Sequence, residues 1–421
     1  MVIETDAAAP LAARPEPKAL RGPLAFAIAC FVVWGLAYGL LDVLNKHFQE
    51  TLHVGKAQST WLQMAYFGAY LVMSAPAGLL LQARGYKFGI VSGLAVTAFG
   101  ALLFIPAARA ASFPFFVGSM FVLASGLCCL ETAADTYVNV LGPPEHAPQR
   151  LNLAQSFNAL GVFFGPLIGG ALFFRQGPTG GGQGEVQATY LVIAVLVLIF
   201  AAVVSRARLP EIHDAHHGPD TVHGAAGRGS TPLFRRPHLV FGVATQALYV
   251  GAQVGIGAFF INLVTETWQG LTSRDGAFLL SLAALAYLIG RFATTGLLLR
   301  FQPRTVLTFY GLANLALCLL VAAGLARISA MALVAVFFFM STMFATIFTL
   351  GVADLGGSTK RGASLMVMAI GGGVLLPYPM GRIAEAFGTP AAFLLPAACF
   401  GVVALYGWRG SRIGEPAHDL A

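Results

Sequence analysis

The sequence predicts an all-α membrane protein with twelve transmembrane helices in two six-helix bundles and both termini cytoplasmic. Three observations carry that expectation: scarce charge, regularly recurring apolar runs, and a bias of Lys and Arg towards alternate loops. Of 421 residues, 57% are hydrophobic and only 10% charged, whereas a soluble domain carries about 25% charge. The mean hydropathy is +0.75. A net charge of +7 would suit nucleic acid if the cations formed a stripe. They fall instead in short loops between apolar runs, so no nucleic-acid partner is expected. Cys30, Cys128, Cys129, Cys318 and Cys399 all lie in apolar segments without CxxC or Cys/His ligand spacing. Neither a disulfide nor a metal is implied.

A bilayer core of about 30 Å needs about 20 apolar helical residues. Runs of that length fall at roughly 24–45, 60–82, 87–107, 113–140, 150–175 and 188–205, and again at roughly 238–264, 276–299, 304–325, 328–352, 362–382 and 391–408. Residues 1–22 are Ala-, Pro- and charge-rich and lack the apolar core and cleavage site of a signal peptide, so a disordered cytoplasmic tail is expected there. Between the two sets lies 206–237, rich in His, Gly, Pro and Arg, the pattern of a flexible cytoplasmic linker. The expected organisation is thus one bundle over 23–205, a second over 238–409, and a short cytoplasmic tail over 410–421.

Orientation follows from the cations. With the N-terminus inside, roughly 17 Lys and Arg fall on the cytoplasmic side and roughly 7 outside. Arg84, Lys87, Arg206, Arg300, Arg304 and Arg361 are among the inside set. The halves also read as copies. Gly78-Leu79-Leu80-Leu81 recurs as Gly296-Leu297-Leu298-Leu299, 218 residues on, each followed by two cations. Arg150, Gly161, Pro166 and Gly170 recur as Arg361, Gly372, Pro377 and Gly381, each 211 residues on. Repeats of this kind, related by an axis along the membrane normal, belong to transporters whose substrate binds at the midplane between the halves.

The candidate site residues are polar groups stranded in these runs. Asp42 lies deep in the first span and Glu131 in the middle of the fourth. A carboxylate at such a depth costs about 2.5–3.5 kcal/mol on insertion scales, so each needs a reason to be there. Asp42 could instead reach headgroups, and Glu131 could be locked by a neighbouring helix. Burial without a cation disfavours the charged carboxyl, and a group poised between its two forms at an aqueous cavity can couple to protons. Asp135, one turn beyond Glu131, is a possible accessory acid. In the fifth span Asn152, Gln155 and Asn158 share an arc of roughly 120°. Their amides suit sugar hydroxyls, or alternatively helix–helix hydrogen bonds.

In the seventh span Gln246 and Gln253 share a face, with Tyr249 beside them. Trp34 and Tyr38, one turn apart, could stack on a pyranose ring or simply pack. Trp61 and Trp268 suit interfacial anchors. Arg291 is the basic residue left well inside a span, and with Arg84, Lys87 and Arg300 it is assigned to a cytoplasmic gate, with Asp354 as a candidate partner. Gly371-Gly372-Gly373 is preceded by no strand and followed by no GK[ST], so it reads as close helix packing or a flexible point. No nucleophile elbow, nucleotide loop or zinc spacing is present, and an enzyme is not expected.

Taken together, the segments WLQMAYFGAYLVMSAPAG, GLCCLETAADTYVNVLGP, RLNLAQSFNALG, QALYVGAQ, LIGRF and TIFTLGVADLG resemble the fucose–galactose–glucose:proton symporter family of the major facilitator superfamily. The resemblance runs through both halves. It implies the major facilitator fold, a sugar substrate, a proton as coupling ion and no cofactor. It also implies that Asp42 and Glu131 serve sugar recognition and proton coupling, and that Gln155 and Asn158 contact substrate. Three positions depart from the family pattern: Tyr38-Gly39-Leu40-Leu41 replaces an Asn-rich stretch, Asp135 stands for an Asn, and Phe344 for a Tyr.

The reading is a monomeric, multi-pass permease of the bacterial inner membrane, importing a monosaccharide or related polyhydroxylated solute with a proton. A permease for a larger solute, such as a siderophore or cell-wall fragment, and a non-transporting sensor on the same fold are the alternatives.

Overall fold

The computed structural model describes residues 21–141, 147–174, 183–207, 209, 236–353, 355 and 359–412. Asp354 and most of 206–237 lie outside that set, as do both tails beyond it. Among the described residues every regular element is a helix, as a bilayer demands, because a helix satisfies its backbone hydrogen bonds internally. Eleven helical stretches are long and apolar enough to cross a membrane. One of them, Lys56–Arg109, runs for 54 residues, twice what a crossing needs. Gly85 breaks it with φ 80°, ψ 173°, a conformation open only to glycine. The second and third spans are therefore two limbs of one long helical stretch that turns at Gly85, which makes twelve spans among the described residues.

Several boundaries differ from expectation for physical reasons. The first helix, Arg21–Thr51, runs past the expected end at residue 45, because Asn45, Gln49 and Glu50 find polar partners and need no loop. The tenth span is broken. Its helices Ala326–Met340 and Met343–Val352 meet at Ser341-Thr342, where the buried Tyr249 Oη donates to the freed Met340 carbonyl at 2.8 Å. The eleventh changes from α-helix (Thr359–Met368) to 3₁₀ geometry over Ala369–Val374 and resumes at Pro377–Phe387. The eighth starts on a capping box between Thr272 and Asp275, which satisfies two otherwise orphaned donors.

Burial follows position in the bundle. The seventh span is 83% buried over its apolar window, against 33% for the sixth. On the sixth, Val192, Leu196 and Ile199 are exposed as one stripe, as a lipid-facing helix requires. The repeated glycines mark the closest approaches. A Cβ on Gly161 would sit 2.6 Å from the Val32 carbonyl oxygen of the first span, and one on Gly372 would sit 2.6 Å from Ala247 Cα of the seventh. Gly170 packs on Ala277 at the head of the eighth span, and Gly381 on Ala57 at the head of the second. The fifth span thus meets the first and eighth, and the eleventh meets the seventh and second, a reciprocal pattern that matches the 211-residue repeat. Gly371 and Gly373 rest on Leu71 and Phe67 of the second span, so the triple glycine is a packing surface facing both halves.

Substitution should separate these roles. Gly372→Val, which forces a side chain into the Ala247 backbone, should cost about 1–3 kcal/mol and lower the thermal midpoint of detergent-purified protein by several degrees. Gly296→Ala, where a Cβ meets nothing within 4 Å, should leave it within about 1 °C. Equal midpoints for the two variants would remove the packing role from Gly372.

Candidate functional site

Where the halves meet, the first, second, fourth, seventh and eighth spans bring polar side chains together in an apolar surround. Asp42 is 9% exposed, within the helix Arg21–Thr51 and enclosed by its neighbours. Gln63 Nε2 of the second span donates to its Oδ1 at 3.4 Å. The other carboxylate oxygen faces Gly257 of the seventh span, where a Cβ would lie 3.1 Å from Asp42 Cγ. Glycine at 257 is what lets a carboxyl fit into the seam between halves. Trp34, Tyr38 and Asp42 recur every fourth residue and so line one face of the first helix. Opposite them stand Gln63, Tyr66 and Tyr70. Trp34 Nε1 donates to Tyr66 Oη at 3.2 Å, and the Tyr38 ring centroid lies 6.0 Å from that of Tyr66. Trp34 and Tyr38 stay partly exposed.

Glu131 completes this half. Its carboxyl lies near Tyr66 and Tyr70, and its Oε2 is buried without a hydrogen-bond partner, as is the Tyr70 hydroxyl. Asp135 follows one turn on, with Oδ1 in the same condition. Across the seam, Tyr249, Tyr287 and Arg291 lie within electrostatic reach of one another, and Tyr38 is within reach of both tyrosines. The Arg291 guanidinium sits over the Tyr287 ring, 5.7 Å from its centroid. It therefore stands by the central cluster, apart from the cations with which the sequence grouped it. Arg84 covers the ring of Phe88 at 4.7 Å, Lys87 Nζ donates to the Ala207 carbonyl at 2.9 Å, and Arg300 is exposed.

The amides divide. Asn158 Nδ2 donates to the Phe31 carbonyl at 3.2 Å, which ties the fifth span to the first. Gln155 and Gln253 are partly exposed, whereas Gln246 is buried with both amide atoms unpartnered. The side chain of Asn152 lies outside the described residues. Gln63, Tyr66, Tyr70 and Tyr287 escaped the sequence reading. Gln63 carried a signal, being an amide inside an apolar run at i, i+3, i+7 spacing with the two tyrosines. Tyr287, one turn before Arg291, looked like any membrane aromatic.

A second polar group closes the seam at the end marked by Lys56. Lys56 Nζ pairs with Glu266 at 2.7 Å and donates to Thr389 Oγ1 at 2.9 Å. Glu385 accepts from the Ala57 backbone N–H at 2.9 Å. Below these, Asn45 Nδ2 donates to the Ala258 carbonyl at 3.0 Å, and Asn262 Nδ2 to Gln49 Oε1 at 2.6 Å. Ser273 donates to Glu50. Each of these links joins a residue before 60 to one after 257, so this end of the molecule is latched. Arg84 and Lys87, at the other end, turn to Phe88 and to the Ala207 carbonyl just past the sixth helix.

The Major Facilitator Superfamily profile matches residues 25–376. The chain is 35% identical over 407 residues to the L-fucose-proton symporter of Escherichia coli (strain K12), covering 91% of this chain and 92% of that one. It is 34% identical over 386 residues to a glucose/galactose transporter of Brucella abortus, again covering 91% and 92%. The crystal structure of the major facilitator transporter FucP in its outward conformation shares 33% identity, covers 92% of this chain and 98% of its own, and superposes with a TM-score of 0.66.

The latch generates a direct expectation. Lys56→Met removes the cation that joins Glu266 and Thr389, a loss of about 1 kcal/mol for a partly exposed pair. Amide hydrogen exchange in peptides spanning 50–60 and 262–273 should accelerate about fivefold. Unchanged exchange would mean that helix packing alone holds this end shut.

Proposed function

The chain belongs to the Major Facilitator Superfamily, and we propose that it is a proton-coupled symporter importing a monosaccharide or related polyhydroxylated solute by alternating access. The observation that carries this reading is the seam itself. Two carboxyls, Asp42 and Glu131, stand inside the bilayer among hydroxyls and amides, and neither is ion-paired. Carboxyls at that depth are retained for a function that uses their protonation. The relatives named for L-fucose, glucose and galactose support a sugar as the solute. Sugar hydroxyls need the mix of donors and acceptors that Gln63, Gln155, Gln253, Tyr38 and the carboxyls offer, with Trp34 and Tyr38 as an apolar face.

In this mechanism Glu131 is the main proton carrier and Asp42 links sugar binding to it. Asp42 lies against Gly257 of the opposite half, so a change in its charge or partners acts directly on the contact that must open and close. The rocking bodies are residues 23–205 and 238–409. The bias of Lys and Arg supports termini and an Arg84 end in the cytoplasm, and in this reading the latched Lys56 end faces outward and the chain opens to the inside. The TM-score of 0.66 against a 33% identical transporter in its outward conformation supports a different disposition of the halves here. Substrate can bias the equilibrium only by its differential affinity for the two states. Arg291 acts at the centre by holding the Tyr287–Tyr249 group, while Arg84, Lys87 and Arg300 line the inner mouth. The setting is the bacterial inner membrane.

Purified protein in proteoliposomes tests the proposal. Addition of L-fucose, D-glucose or D-galactose should alkalinise the external medium in the wild type. Glu131→Gln should abolish accumulation above equilibrium yet keep counterflow exchange within about threefold. Asp42→Asn should lose both the pH signal and most binding. Full accumulation by Glu131→Gln would overturn the assignment of the proton carrier. A folded wild type that gives no pH response to any sugar would overturn proton–sugar symport.

A further inference from the structure

We propose that Asp135 is a proton relay on the fourth span, receiving the proton that Glu131 releases and passing it to water at the Arg84 end of the molecule. The inference rests on the carrier role proposed for Glu131 and extends it to the path the proton takes. Both carboxyls belong to the helix Phe113–Val140. Their four-residue separation puts them on one face, with Cβ atoms about 5–6 Å apart. Asp135 is one turn nearer Val140, the end of the helix that lies towards Arg84. The fourth span therefore carries a carboxyl at the seam and a second one on the way out.

The surroundings fit a proton path better than a structural pair. Glu131 Oε2 and Asp135 Oδ1 are both buried with no hydrogen-bond partner. A carboxyl kept for helix packing would have used that capacity, because an unmade bond at a buried polar atom is costly. The titratable groups facing Glu131 are Tyr66 and Tyr70 of the second span, with Cys128 and Asp135 on its own helix. Asp135 faces Glu131 in turn. None of these is a cation. Arg150 of the fifth span, beside this helix, donates its Nε–H to the Val138 carbonyl at 3.1 Å, one turn past Asp135. Two carboxyls one turn apart on one face, with no cation among the groups facing Glu131, are placed to pass one proton between them. Such a pair hands a proton over without creating a second buried charge.

The step balances simply. Protonated Glu131 gives its proton to the Asp135 carboxylate, which leaves Glu131 as carboxylate and Asp135 as acid. Asp135 then releases the proton to water and returns to carboxylate. No other reactant is needed, and the net proton count per sugar stays that of Glu131.

Initial proton-driven uptake, counterflow exchange and the proton-to-sugar ratio should be measured in proteoliposomes holding the full chain, with radiolabelled L-fucose and D-galactose as probes. Asp135→Asn should slow uptake about tenfold, slow exchange far less, and leave the proton-to-sugar ratio unchanged. Uptake by this variant should also slow about threefold in D2O, because proton release has become the limiting step. Asp135→Glu should restore uptake to within about threefold of wild type. Wild-type uptake in Asp135→Asn, measured while Glu131→Gln has lost accumulation, would overturn the relay and leave the carrier standing. Equal losses of uptake and exchange without rescue by Asp135→Glu would assign Asp135 a packing role and also overturn the relay. Accumulation retained in Glu131→Gln would overturn the carrier and the relay together.

Discussion

A carboxyl in hydrocarbon costs about 2.5–3.5 kcal/mol or more, and the architecture of this chain answers that constraint. Asp42, Glu131 and Asp135 can be kept only where helices shield them from lipid and polar neighbours or water can reach them. Twelve helices divided between two halves supply one such place, the seam. Lipid-facing spans such as the sixth carry apolar stripes, whereas the seventh, which borders the seam, is buried over most of its apolar window. The stranded polar groups gather because there is nowhere else for them to go.

Close packing holds each half together around the seam. Gly161 and Gly372 let the fifth span touch the first and the eleventh touch the seventh at backbone distance. Without an ordinary hydrophobic drive between helices in lipid, such contacts are the main source of specific association. Gly257 extends the logic across the seam, since only a residue without a side chain leaves room for the Asp42 carboxyl. The breaks in the tenth and eleventh spans lie beside the same region, and Tyr249 spends its hydroxyl on a carbonyl freed by one of them. Irregular backbone at membrane depth is tolerated where protein or a cavity satisfies it.

The two polar layers have different physical characters. The Lys56 latch is made of one partly exposed ion pair, Lys56–Glu266, and hydrogen bonds that include the buried Asn45 and Asn262, and the exposed pair is worth little alone. The central cluster is partly buried and leaves individual buried oxygens of Glu131, Tyr70 and Asp135 unpaired. A transporter needs both kinds, a weak closure that substrate binding can shift and a costly site that substrate or a proton completes. Arg291 adjoins the second layer through the Tyr287 ring, whereas Arg84 and Lys87 meet other partners.

Composition and periodicity alone determined that the chain is a helical, multi-span membrane protein, because hydrocarbon imposes length and apolarity on every crossing. The 211-residue register also showed which spans correspond, and insertion cost was enough to single out Asp42 and Glu131. Several things were decided only by the tertiary structure. Asn158 bonds to the Phe31 carbonyl, a partner that periodicity on its own helix could not name. Gln63, Tyr66 and Tyr287 entered the site because other spans face them, and aromatic residues in a membrane carry no mark of which neighbour they meet. The latch joins residues before 60 to residues after 257, a pairing invisible along the chain. A helix face is a local property of sequence, but the face opposite it is set by packing, and the site exists only where two such faces meet.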